Sequence, residues 1–214
     1  METWTRPDGR RFILGEPGDE LPTGELYAVV RETDAERRER LDLLGFAVHR
    51  RELELLLPTR IDGRRPPDGF TFVRADEVPE EGLRYLDDEL RQDVPGTAGW
   101  HWDAADFHAE TYASPHFDPA VYLVALAPGG THAGICRVWN RPERPRLGLI
   151  GVVRDHRRRG VARWLLGEAF AVLAARGHAE ILAEVDETNG AARVLLEGLG
   201  GRRIGASLEL RRPG

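Results

Sequence analysis

Arg157, Arg158 and Arg159 stand immediately before Gly160-Val161-Ala162, where an apolar strand pattern gives way to an apolar helix pattern. Glycine at such a turn lets the backbone approach a ligand closely, and the first N–H groups of a helix have no intrahelical partners. With the positive end of the helix dipole, those donors suit an anion such as a pyrophosphate. Two carboxylates follow, Glu184 and Asp186, spaced two apart and therefore on one face of a strand. Asn189 then opens a second helix, where its side chain can cap the helix or contact a ligand. All thirty cations of the chain are arginines. Schiff-base and lysine-dependent phosphate chemistry is thereby excluded, and a bound anion must be held by main-chain N–H groups and arginine.

The remaining candidates are weaker. His101, His108 and His116 are spaced seven and eight apart, which is no recognisable metal set, so no metal is expected. The single Cys136 lies inside a strand pattern and reads as a small buried hydrophobe. Trp100-His101-Trp102-Asp103 and the run from Phe107-His108 to His116-Phe117-Asp118 combine aromatics with acids. That combination suits a cationic or partly apolar ligand, although each aromatic alone reads as core. The net charge of −6 argues against a general nucleic-acid binder, but it is unevenly spread. Residues 129–214 carry fifteen arginines and nine acids, whereas residues 58–128 carry six and fourteen. No apolar run reaches the roughly 18 to 20 residues of a membrane span, and residues 1–11 are too polar for a signal peptide, so a cytoplasmic location is expected.

The elements that must position these residues follow an α/β series. Residues 70–74 read as a strand, 80–92 as a helix with Leu83, Leu86 and Leu90 on one face, and 104–112 as a shorter helix. Strands at 121–127, 133–139 and 147–153, closely spaced, suggest an antiparallel meander. Residues 160–176 form the clearest helix, with Val161, Leu165, Ala169, Val172 and Leu173 at helical spacing. An internal repeat precedes this series. Residues 25–58 align with 180–213 without a gap, at a shift of 155, with thirteen of thirty-four positions identical. Each copy reads as strand, helix, glycine stop (Gly45 or Gly200) and strand. Residues 58–69, rich in proline and glycine, read as a linker. The expected domains are therefore 1–57, the linker 58–69, and 70–214.

The stretch Arg157-Arg158-Arg159-Gly160-Val161-Ala162, with its strand, its helix and the downstream Asn189-Gly-Ala-Ala192, resembles the acyl-CoA signature of the GCN5-related N-acetyltransferase (GNAT) superfamily. The resemblance covers about residues 70–212 and implies a mixed, largely antiparallel central sheet with flanking helices. It extends to residues 1–57 as a half-copy of the same fold, with Asp34 in place of Asn189. That fragment is expected to pack beside the complete domain or to pair with another subunit in a homodimer. The resemblance implies acetyl-CoA as acyl donor and an amine-bearing small molecule or peptide as acceptor, with neither nucleic acid nor membrane as partner. Ile150, Gly151 and Val152 would pair with the pantetheine arm as an added strand does, Arg157 to Arg163 would take the pyrophosphate, and Asn189 would contact the cofactor near its reactive end. A lysine-like amine of pKa ~10.4 is only about 0.04% neutral at pH 7, so a base is useful. The strand over 147–153 carries no acid, which leaves Glu184 and Asp186 as the candidate bases. Leu196 stands where many members of the superfamily carry a tyrosine. The alternative reading is therefore a non-catalytic acyl-CoA-binding or regulatory module.

Overall fold

The computed structural model describes residues 2–18, 20–61 and 65–214. Residues 62–64, part of the expected linker, lie outside the described residues. In chain order the elements are β1 (Thr3–Thr5), β2 (Arg11–Ile13), β3 (Leu26–Arg31), α1 (Ala35–Leu43), β4 (Ala47–Pro58), β5 (Thr71–Arg74), α2 (Glu80–Arg91), α3 (Ala104–Glu110), β6 (Tyr122–Leu126), β7 (His132–Trp139), β8 (Arg146–Val152), α4 (Val161–Ala175), β9 (Glu180–Asp186), α5 (Gly190–Glu197) and β10 (Arg202–Arg212). The strands expected from short apolar runs between turn residues and the helices expected from periodicity form within a residue or two of their anticipated ends. The two short strands β1 and β2, by contrast, carry no turn or alternation signal strong enough to announce them.

One ten-stranded sheet runs in the order β1-β2-β3-β10-β4-β9-β8-β7-β6-β5. β5 to β8 form the expected antiparallel meander. The chain order breaks at the middle, where β4 lies antiparallel between β10 and β9. Residues on either side of the 58–69 segment thus share one hydrogen-bonded sheet. The offset of 155 seen in the sequence also relates the pairings. Ser207 pairs with Arg31 as Glu52 pairs with Asp186, and Arg212 pairs with Leu26 as Leu57 pairs with Ile181. Between β10 and β4 the Ser207 and Glu52 pair maps onto itself under that offset.

Alternation gives the central strands two unlike faces. Leu53, Leu55 and Leu57 of β4, Ile181, Ala183 and Val185 of β9 and Ala206 of β10 point to one side and join a core with α4. Trp164, Leu165, Leu166, Ala169, Phe170 and Leu173 of α4 are all buried in it, each large side chain contributing about 1.5–3 kcal/mol of transfer free energy. Leu26, Ala28 and Val30 of β3, Leu208 and Leu210 of β10 and Leu41 of α1 continue this layer. On the opposite side α2 and α3 cover only the β6 to β8 half, through Leu83, Leu86, Leu90, Trp102 and Phe107 against Tyr122, Val124, Ile135 and Leu149. The remaining half of that face, on β9, β4 and β10, is polar. It carries Glu184 and Asp186, Arg50 and Glu52, and Glu209.

Candidate active site

The polar half-face is part of a cleft of about 670 Å³. Trp100, Trp102 and Arg91 line it from the α2–α3 region, and Trp4, Arg6 and Phe12 from the N-terminal strands. At its other edge β8 and β9 part company. They pair in parallel only at Arg146 with Leu182 and Leu147 with Ala183, after which β8 follows β7 alone. The parting begins at a bulge. Arg137 pairs with Leu149 and Val138 with Leu147, leaving Gly148 unmatched. A side chain at Gly148 would come within 2.5 Å of the Trp139 indole nitrogen, so glycine allows the tryptophan to pack over the strand where it turns. Trp139 in turn stacks on the buried Arg137 guanidinium, 3.8 Å from the ring centroid.

Beyond β8 the chain passes a short 3₁₀ turn and enters α4 through Arg158 (φ 63°) and Gly160 (φ 84°), both left-handed. From residue 158 to residue 163 no backbone N–H meets an acceptor among the described residues. Successive N–H groups in such alternating backbone form an anion-binding concavity, here at a helix N-terminus. A Cβ built on Gly160 would have nothing within 4 Å, so the turn is open on that side. The three arginines of the motif divide. Arg157 is folded back, its Nε donating to the Val152 carbonyl at 2.8 Å and its Nη2 paired with Asp93. Asp93 also pairs with Arg154, and the two guanidinium groups hold its carboxyl well below the usual carboxylate range. Arg158 and Arg159 are exposed and make no side-chain hydrogen bond or ion pair with any described residue. Arg163 donates to the Gly198 carbonyl at 3.3 Å.

Of the residues singled out in the sequence, Ile150, Glu184, Asp186 and Asn189 line the cleft. Gly151 instead faces Leu90 of α2, and Gly151, Val152 and the 157–163 turn do not border the cleft. Asn189 caps α5, its Oδ1 accepting from Ala192 N at 3.1 Å. Glu184 is paired with Arg146 across the parting strands. Asp186 is committed within the protein: Oδ1 accepts from Thr188 N at 2.8 Å and from its hydroxyl, and Oδ2 faces Arg50 at 3.4 Å. Its geometry is that of a turn-forming residue that sets Asn189 in place. Tyr122 is buried in the α2–α3 core, and burial pushes its hydroxyl far up, so it offers the cleft no proton donor. Burial likewise pushes the Cys136 thiol up to about 12, as expected of an inert core cysteine. Among the described residues no metal-binding group of side chains occurs, and no helix is long and apolar enough to cross a membrane.

A sequence model of the acetyltransferase (GNAT) family matches residues 83–200, more than half of the chain. The chain belongs to the acetyltransferase (GNAT) family. Mycothiol acetyltransferase of Salinispora arenicola (strain CNS-205) is 34% identical over 117 residues, which are 52% of this chain and 38% of that protein. The GCN5-related N-acetyltransferase of Sphaerobacter thermophilus superposes with a TM-score of 0.72 at 23% identity, over 89% of this chain and 61% of that one. A tandem GNAT protein from the clavulanic acid biosynthesis pathway gives 0.63 at 14% identity, over 89% and 64%. The chain thus spans well under two thirds of the curated relative, and at these identities the solved structures share the fold. The GNAT-like fold is a mixed α/β one, with a large central sheet and flanking helices. Within this family chain, sequence reasoning missed Arg50 and Glu52 of β4, both of which line the cleft. The available signal was the alternation Glu52-Leu-Glu54-Leu, which already placed acids on one face of a strand and leucines on the other.

Proposed function

We propose that the protein is an acyl-CoA-dependent N-acyltransferase that moves acetyl from acetyl-CoA to an amine. The observation that carries this reading is the run of unpartnered N–H groups at residues 158–163, in the turn that follows β8, the strand that parts from β9. Those donors, with the free Arg158 and Arg159 side chains, would hold the diphosphate of the donor. The β8 backbone at Ile150 to Val152 would hold the pantetheine arm, and the cleft beyond Ile150 would receive the acceptor. When bound, acetyl-CoA supplies an acetyl thioester with a thiolate leaving group, so attack by a neutral amine needs no metal. The mycothiol acetyltransferase relative supports acetyl transfer as the reaction class. The acceptor proposed for this chain is an amine-bearing small molecule or peptide.

We further infer that residues 1–57 are the C-terminal half of a second copy of the fold. The thirteen identities at offset 155 support this, as do the equivalent pairings of β3 with β10 and of β9 with β4. Likeness of fold to a tandem GNAT protein is in keeping with it. A second reading, a non-catalytic acyl-CoA-binding module, draws on Leu196, which lines the cleft with a buried alkyl side chain and supplies no hydroxyl for the leaving thiolate. Calorimetry with acetyl-CoA on the native chain and on Gly160→Trp tests the common element. Binding by the native chain and its loss in a Gly160→Trp protein of native melting temperature is expected. Equal heats from the two would remove the reading, and binding without thiol release across a panel of amines would select the module.

A further inference from the structure

Resting on the acyltransferase reading, we propose that Glu52, on a strand outside the region that carries the family signature, accepts the proton of the attacking amine. Its neighbours form a closed set of charges. Arg50 pairs with Glu52 at 2.8 Å, with Asp186 at 3.4 Å and with Glu209 at 3.1 Å. Arg6 and Arg10 pair with Glu209 and with Asp8. Three guanidinium groups thus face four carboxylates, and the set is one positive charge short. Asp8, Asp186 and Glu209 have side chains only 2–3% exposed, whereas that of Glu52 is 29% exposed and lines the cleft. The unmatched negative charge therefore has one member of the set through which it can meet a ligand.

The other cleft carboxylates are less suited. Asp186 is consumed by Thr188 and Arg50, Glu209 by three arginines, and Glu184 has Arg146 to itself. Among the described residues, Glu52 pairs with Arg50 alone and shares it with two other acids. The groups facing it are Arg50 and Glu54 of its own strand, Glu184 and Asp186 of β9 and Glu209 with Ser207 of β10, while the Pro95 carbonyl holds Arg50 from the segment after α2. Burial, together with Glu184 and Glu209, outweighs Arg50 and raises the Glu52 carboxyl above its ordinary value. A base needs this shift, because a carboxylate held far below neutrality has little tendency to take a proton from an amine.

In the step so assigned, Glu52 takes one proton from the ammonium form of the acceptor. The freed lone pair forms the N–C bond at the thioester carbonyl while the C–S bond breaks. A second proton from the same nitrogen passes to the departing thiolate. The products are an amide and a thiol, and the proton on Glu52 returns to solvent. Since Glu52 belongs to β4 while the family match spans residues 83–200, the transfer site is incomplete without the N-terminal segment.

The test compares the native chain with Glu52→Gln, an isosteric change at a partly exposed site. Acetyl-CoA calorimetry comes first, then thiol release from acetyl-CoA with benzylamine as acceptor between pH 6 and pH 10. Acetyl-CoA affinity is expected to stay within about twofold, while kcat/KM at pH 7 falls on the order of 10²-fold. The deficit should shrink as the pH rises and the amine deprotonates unaided. Rates within threefold of native at pH 7, or a deficit equal at every pH, would overturn the assignment. Infrared difference titration of the acetyl-CoA complex reads the same group without turnover. A carboxyl band absent from Glu52→Gln should protonate above the ordinary glutamate range, and a band at or below that range would also overturn it. Absence of acetyl-CoA binding by the native chain would instead defeat the acyltransferase reading itself.

Discussion

Arg50→Met removes a cation that ties β4 to Asp186 of β9 and to Glu209 of β10. Methionine keeps the aliphatic bulk but leaves Asp186 and Glu52 without an arginine among the described residues, while Glu209 retains Arg6 and Arg10. Deleting one member of a buried ion pair costs about 3–5 kcal/mol, because the abandoned charge stays desolvated. For a chain of this size each kcal/mol lowers Tm by about 2–4 °C, so a drop of about 6–20 °C is expected at pH 8. The pH dependence has a definite sign. Glu52, whose carboxyl burial already raises above its ordinary value, loses in the variant the Arg50 charge that opposes that shift, so its folded pKa lies above its unfolded one. That part of the cost is therefore fully present above this folded value and is released as the pH falls through it, by up to about 1.4 kcal/mol per pH unit. Urea or thermal melts of both proteins at pH 5 and pH 8 measure this directly. A loss below about 1 kcal/mol at pH 8, or a loss that grows toward pH 5, would refute the view that Arg50 neutralises this cluster.

Two further outcomes follow from the same contacts. Arg158→Gln with Arg159→Gln should leave Tm nearly unchanged, since neither side chain has a partner among the described residues, yet weaken acetyl-CoA binding and flatten its dependence on salt; calorimetry at two ionic strengths checks both. A chain beginning at residue 59 lacks β4, leaving β9 and β10 without their shared neighbour and exposing the core around Ala183 and Val185; it should fail to melt cooperatively by circular dichroism, whereas an independently folding domain 70–214 would give a sharp transition.

Much of the fold was legible because its signals are local. The apolar stripe of α4, the glycine stops at Gly45 and Gly200 (φ 84° and 87°) and the short apolar runs of β6 to β8 each lie within or beside one element, where local pattern reports burial without reference to the rest of the chain. The anion-binding turn was legible for the same reason, since Gly160 and the helix it opens are adjacent in sequence. Two things were not. The fate of each arginine depends on residues far away: Arg157 looks like its neighbours in the sequence, but Asp93, in the turn after α2, draws it off. The place of β4 was also hidden. A strand that reads Glu-Leu-Glu-Leu announces a polar and an apolar face, but nothing in it names the strands on either side.

The repeat supplies the missing information once pairing is considered. Two copies of a strand-helix-strand unit, each placing its last strand beside the other's first, give the order β3-β10-β4-β9 and the register in which Ser207 meets Arg31 as Glu52 meets Asp186. Glu52 and Ser207 face each other across the centre of that arrangement. An acid at one and a hydroxyl at the other make the two sides chemically unequal, and only the side with Glu52 adjoins the parting of β8 and β9. The same exchange that places β4 in the sheet interior therefore brings Glu52 to the cleft, so the stability of the sheet and the chemistry proposed for it depend on the same twelve-residue strand.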